Sequence, residues 1–133
     1  MKKIITFALI LSFVFLLVGC SSNTKTFNIS NSNKLTIVSG STGESITITN
    51  EDDIKHITEN INALNFSKGS KVDSDGWSYA LNWMNENGEV IEKITLLGDG
   101  YTIIYNGYYY RGMSIDYMID LGFVEKLFDN QKV

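Results

Sequence analysis

The chain of 133 residues has very few of the residues on which enzymatic chemistry commonly depends. Cys20 is its only cysteine and His56 its only histidine. A single cysteine excludes a disulfide within the chain. Without a second histidine, a free thiol or a nucleophile elbow, triad-type catalysis lacks its components. We therefore expect a protein that is not an enzyme and that needs no cofactor.

Basic residues are also scarce. All 15 acidic residues follow Cys20, with nine of the 11 basic ones, so that part of the chain carries a net charge of −6. Nucleic-acid binding requires a basic surface, so no nucleic-acid partner is expected. The same balance argues against the folded part lying electrostatically on an anionic leaflet.

The N-terminus combines a short positive segment with one apolar run. Lys2 and Lys3 precede Ile4–Val18, which is interrupted only by one threonine and one serine. About 15 apolar residues are too few to cross a bilayer comfortably, since a spanning helix needs roughly 20. The run instead has the length of the apolar region of a secretory signal.

The residues that close the run, Leu17-Val18-Gly19-Cys20, match a lipobox. The N-terminus therefore resembles the signal of bacterial lipoproteins. That resemblance implies cleavage before Cys20, lipidation of the Cys20 sulfur and a membrane anchor on the extracytoplasmic face of the cell membrane. Two acyl chains anchor a protein stably, whereas one binds marginally. The alternatives are a plain signal peptide with an incidental cysteine, or an uncleaved N-terminal helix.

Three segments are predicted: a signal peptide at 1–19, a flexible tether at 20–33 and a single domain at 34–133. The tether is rich in Ser, Asn, Thr and Lys and has only two bulky apolar residues, Phe27 and Ile29. Such a segment cannot bury enough surface to offset its ordering entropy.

Hydrophobic periodicity within the domain predicts an α+β fold. Ile54, Ile57, Ile61 and Leu64 recur at helical spacing behind an N-cap at Thr49 or Asn50. A second helix is expected over 115–129, capped by Ser114 and with a possible break at Gly122. Alternating segments predict strands at 35–38, 45–49, 77–84, 89–97, 101–105 and 108–113. Residues 66–76 are predicted as a loop. The order is ββαββββα, an antiparallel sheet of about six strands with helices on one face.

Two further features favour ordinary structural roles. His56 lies off the apolar stripe of its helix, which predicts a solvated side chain. Asp73-Ser74-Asp75-Gly76 resembles part of a calcium loop, but Lys71 and Asn82 would then occupy the first and last ligand positions. We therefore predict a turn and no metal site.

Aromatic residues are concentrated in one region. Nine of the 13 that follow Cys20 lie between Trp77 and Tyr117. In a hairpin closed by Asn106-Gly107, Tyr105 faces Tyr108 and Ile103 faces Tyr110, with Tyr101 opposite Gly112 on the same side. Because helices cover only one face of a sheet, one aromatic set is expected to stay partly exposed, unless the tyrosines are simply strand residues that pack. The predicted binding residues are Tyr101, Tyr105, Tyr108, Tyr110 and Arg111.

These features predict a non-enzymatic, lipid-anchored protein that binds a partner protein or an envelope component. In size, tether and layout it resembles small lipoproteins of Gram-positive bacteria whose mature parts are domains of unknown function. One alternative is a small envelope enzyme, or an inhibitor of cell-wall hydrolysis, that uses clustered carboxylates with raised pKa values. The other is an accessory subunit with an exposed apolar patch.

Overall fold

The fold is α+β, with one open antiparallel sheet of eight strands and two helices. The computed structural model describes residues 23–74, 76–114 and 116–131. The strands are β1 (Thr24–Thr26), β2 (Lys34–Ser39), β3 (Ser45–Ile48), β4 (Asn65–Lys71), β5 (Tyr79–Met84), β6 (Val90–Leu96), β7 (Thr102–Tyr105) and β8 (Tyr108–Gly112). The helices are α1 (Glu51–Asn62), between β3 and β4, and α2 (Leu121–Gln131), after β8. The predicted α+β class is confirmed, but the predicted order ββαββββα, with about six strands, lacks β1 and β4.

The strand order across the sheet is β1-β4-β8-β7-β6-β5-β2-β3. Both helices pack on the same face. The Trp83 indole of β5 bonds to Thr58 of α1, and the Tyr79 ring lies 5.4 Å from the Phe128 ring of α2. Ile54, Ile57 and Ile61 of α1 are buried in the same core, as the periodicity predicted. Neither helix in the described residues is long and apolar enough to cross a membrane.

The β7–β8 hairpin has the predicted register. Tyr105 pairs with Tyr108 and Ile103 pairs with Tyr110. Asn106 and Gly107 both have positive φ, 49° and 82°, as the two central residues of a type I′ turn require. The local turn chemistry is therefore sufficient to set this part of the sheet.

The last helix begins later than predicted. Asp120 provides its cap, because its Oδ1 accepts a hydrogen bond from the Phe123 N–H at 3.0 Å. The helix then runs through Gly122 without interruption. Ser114, the predicted cap, instead accepts a hydrogen bond from the Asp116 N–H within a turn, and Ile115 lies outside the described residues.

The segment predicted as a loop contains strand β4. Asn65–Lys71 pairs with β8 on one side and with β1 on the other. Phe66 is its only buried residue, so the strand lacks the alternation by which sequence analysis recognises strands. Its pairing partners, rather than its own side chains, place it in the sheet.

Most of the described part of the predicted tether belongs to the fold. Thr24–Thr26 pairs with β4, and Phe27 and Ile29 are buried in the core. The side-chain amide of Asn62 in α1 accepts from the Ile29 N–H and donates to its carbonyl oxygen. Two apolar anchors and an edge strand thus order a polar segment, and the folded domain starts before residue 34. Cys20 and the predicted signal at 1–19 lie outside the described residues.

The seven residues between β1 and β2 form a strap across the helix-bearing side of the sheet. These strands lie six positions apart, which is about 29 Å in a flat sheet. A linker of seven residues reaches roughly this distance only when it is fully extended. This linker is not fully extended, because it bends to contact Asn62 of α1. The sheet must therefore curl, and the strap covers the end of it that bears the aromatic hairpin.

Candidate functional site

Three of the predicted binding residues, Tyr105, Tyr108 and Tyr110, lie together on the helix-bearing face of the sheet. Cross-strand pairing puts Tyr110 beside Ile103, which is fully buried, and Tyr105 beside Tyr108. All three tyrosines are only partly exposed. Tyr105 and Tyr110 contact the edge of the hydrophobic core. This region is therefore the margin of the core, where rings are half covered and half available to a partner.

Phe27 covers the inner side of these tyrosines. Its ring meets Tyr105 edge-on with 5.1 Å between centroids, and Phe66 with 5.8 Å. Tyr105 in turn meets Tyr110 edge-on at 6.1 Å. Edge-to-face contacts of this kind hold rings in defined orientations. The strap thus fixes the aromatic rings rather than leaving them mobile on an open face.

Two lysines lie over these rings. The Lys25 ammonium in β1 is 4.8 Å from the centroid of Tyr105 and 4.9 Å from that of Phe27. The Lys68 ammonium in β4 is 3.8 Å from the centroid of Tyr108. Neither lysine forms an ion pair with any carboxylate that the structure describes. We call Lys25, Lys68, Tyr105, Tyr108 and Tyr110 the aromatic–lysine patch.

The remaining two predicted residues lie apart from this patch. Arg111 pairs with Thr102 and therefore projects from the opposite face of the sheet to Tyr110. Its guanidinium lies 5.0 Å from the centroid of the Tyr101 ring. Arg111 thus contacts Tyr101 but lies on the opposite face of the sheet from Tyr105, Tyr108 and Tyr110, where Lys25 and Lys68 supply the cationic groups instead.

Sequence reasoning missed both lysines because it placed them outside the sheet. Lys25 was in the predicted tether and Lys68 in the predicted loop. The only sequence signals were the apolar residues Phe27 and Phe66 beside them. Two isolated phenylalanines do not reveal that their segments pair with each other as β1 and β4.

A second polar cluster joins the two helices. His56 Nε2 lies 2.8 Å from Asp120 Oδ2, and the imidazole lies against the Phe123 ring with 4.1 Å between centroids and a tilt of 36°. Asn60 accepts from the Asp120 N–H and donates to the Met118 carbonyl. His56 is exposed, as predicted, but it has a partner. The hydrogen bond from His56, aided by the Phe123 N–H and opposed by partial burial, holds the pKa of Asp120 below its usual range.

Asp120 and Asp99 line a shallow cavity of about 520 Å³ between the β6–β7 turn and the start of α2. Partial burial would raise the pKa of Asp99, but hydrogen bonds from the Thr102 hydroxyl and from the Tyr101 and Thr102 N–H groups outweigh it and lower that pKa. Both carboxylates are thus used in capping and turn formation. A general acid requires the opposite, a raised pKa. Neither carboxylate in this cavity therefore has the raised pKa that the carboxylate-enzyme alternative predicts.

Comparisons with known proteins do not indicate a function for this chain. No family model matches the chain, and no match exists among the curated proteins or the solved structures. Within the described residues, no group of three or more His, Cys, Asp or Glu side chains is arranged to hold a metal ion. The most distinctive surface feature is the aromatic–lysine patch.

Proposed function

We propose that this protein is a lipid-anchored, extracytoplasmic membrane protein that binds a partner protein or an envelope component through the aromatic–lysine patch. Lipidation at Cys20 is inferred from the lipobox Leu17-Val18-Gly19-Cys20. The binding role depends mainly on one observation, the two lysines without carboxylate partners in the described chain that lie over partly exposed tyrosines. No enzymatic step is part of this proposal.

The chemistry of the patch suits a negatively charged partner. Tyrosines provide a large contact area with few rotatable bonds. Ammonium groups held over aromatic faces are already positioned, so an anionic group can bind them with little additional ordering. Since the chain is acidic as a whole, this patch stands out electrostatically from the rest of the molecule.

The binding part is tested by presenting the purified protein to isolated cell-wall material and to isolated membranes. Tyr105→Ala and Tyr108→Ala are expected to reduce retention on the fraction that contains the partner. Tyr117→Ala is the matched control, because Tyr117 is 66% exposed and does not belong to the patch. Equal retention of all forms on both fractions would contradict a binding role for these tyrosines.

The anchoring part is tested separately in cells. The wild-type protein should incorporate labelled palmitate and fractionate with membranes. A Cys20→Ala variant should incorporate none and should be released after processing or accumulate as the precursor. Absence of acyl chains from the wild-type product would overturn the proposed lipoprotein assignment.

A further inference from the structure

Strand β1 begins close to the predicted lipidation site. Only two residues separate Cys20 from Asn23, so the two Cα atoms can be no more than about 11 Å apart. The Asn23 carbonyl accepts a hydrogen bond from the Lys68 N–H at 2.7 Å. A lipid on Cys20 would therefore hold the chain near Lys68, rather than at the end of a long tether.

This end of the sheet carries several positive charges. Lys68 covers Tyr108, and Lys71 pairs with Tyr108 across the β4–β8 ladder after a bulge. The β7–β8 turn lies at the same end, because the Val72 N–H donates to the Gly107 carbonyl at 2.9 Å. Lys25 in β1 completes a group of three lysines beside the point where the lipid would enter the membrane.

The acidic groups that the structure describes at this end lie away from the lysines. Asp73 is near, but its carboxylate faces the Tyr109 hydroxyl at 3.5 Å, and Tyr109 projects from the opposite face to Tyr108 and Tyr110. The acidic β5–β6 turn is separated from β1 by β4, β8 and β7. Among the described residues, positive charge is thus concentrated at the corner formed by β1, β4 and β8.

We propose that the aromatic–lysine patch, together with Lys71, docks on the anionic lipid headgroups of the same membrane that holds the anchor. This inference rests on the proposed lipid anchor and specifies the envelope component as the membrane surface itself. Lysines are attracted to anionic headgroups, and tyrosines are favoured at the interface between lipid and water. The acidic remainder of the domain is repelled, so docking gives the tethered domain one orientation. The negative net charge of the chain argued against such contact. A net charge is summed over all residues, so it does not show that the lysines cluster at one corner of the sheet.

The test uses the full lipidated protein in vesicles with a fluorophore on one introduced cysteine. Because the lipid blocks Cys20, the only cysteine in the chain, the new thiol is labelled uniquely. Ser70→Cys reports from the lysine-bearing end of β4, and Ser41→Cys reports from the β2–β3 turn at the far edge and the opposite end of the sheet. Quenching by a headgroup nitroxide is compared in phosphatidylcholine vesicles with and without phosphatidylglycerol.

Docking predicts stronger quenching of the Ser70 label than of the Ser41 label, only with phosphatidylglycerol present and only at low salt. Lys68→Gln with Lys71→Gln should lower the ratio of docked to undocked domain by roughly 30-fold. Lys93→Gln with Lys126→Gln removes the same charge from exposed sites elsewhere and should leave the quenching unchanged.

Two results would overturn the docking proposal. One is equal quenching of both labels regardless of phosphatidylglycerol and salt, and the other is an equal loss of quenching in the control double variant. Mass analysis of Cys20 separates these failures from that of the proposed function. An acylated protein without docking overturns this inference alone, whereas a protein without acyl chains overturns the lipoprotein assignment.

Discussion

The indole Nε1–H of Trp83 donates a hydrogen bond of 2.9 Å to the Thr58 hydroxyl, which joins the centre of the sheet to α1. Trp83 is fully buried, so its N–H has no access to water. Thr58 in turn donates to the Ile54 carbonyl at 2.6 Å within the helix. The Thr58 hydroxyl thus accepts the hydrogen bond from the indole N–H of Trp83, which is the largest side chain in the core.

Thr58→Val should reduce the free energy of unfolding by about 1–3 kcal/mol, because it preserves the shape of the side chain but leaves the indole donor without an acceptor. Thr58→Ser keeps the hydroxyl and should cost less. Urea unfolding at neutral pH measures both. A larger loss for Thr58→Ser than for Thr58→Val would show that packing of the methyl group, rather than the hydrogen bond, is what matters.

Phe27→Ala should destabilise the protein by about 3–5 kcal/mol, since Phe27 is buried and contacts Phe66 and Tyr105. The exposed neighbour Asn28 provides the control, and Asn28→Ala should change stability by less than about 0.5 kcal/mol. If Phe27→Ala left the unfolding midpoint unchanged, the strap would not be part of the folded unit.

Asp120→Asn should weaken the dependence of stability on acidic pH. The pKa of Asp120 is lowered in the folded state, so its contribution is present above the unfolded pKa of about 3.9 and is lost as pH falls through the folded value. Urea midpoints measured from neutral pH downwards should therefore fall more steeply for the wild type than for Asp120→Asn. Asp99→Asn should act in the same direction, because that pKa is also lowered. Parallel profiles for all three proteins would contradict the assignment.

Gly40→Ala should destabilise the protein by about 1–3 kcal/mol through overpacking. A Cβ at this position would overlap the Trp77 carbonyl oxygen and lie 2.8 Å from the indole ring atom Cε3. Gly76→Ala is the matched control, because nothing lies within 4 Å of a Cβ there. Thermal unfolding of the two variants should separate them clearly, and equal melting temperatures would show that the Trp77 segment shifts at no cost.

Much of the fold follows from local patterns. The turn and register of the β7–β8 hairpin were predicted correctly, because Asn106-Gly107 permits positive φ at both positions of the turn. Helix α1 was predicted equally well, since Asn50 caps it and three isoleucines define its buried stripe. The β2–β3 hairpin likewise follows from alternation and a turn rich in glycine.

The missed elements are those without a local signal. Strand β4 has one buried residue and β1 has none, so neither shows the alternation of a half-buried strand. Helix α2 begins six residues later than predicted, because Asp120 rather than Ser114 caps it and Asn60 holds that cap in place. In each case a partner distant in the chain outweighs local preference.

The candidate site could likewise be predicted only in part from local patterns. The sequence alone determined that Tyr105, Tyr108 and Tyr110 share one face, because alternation along a strand and a two-residue turn are properties of adjacent residues. Only the tertiary structure brought Lys25 and Lys68 over those rings, because β1 and β4 pair across a long separation in the chain. Whether β1 pairs with β4 depends on which other strands are available at that edge of the sheet. No stretch of neighbouring residues determines this.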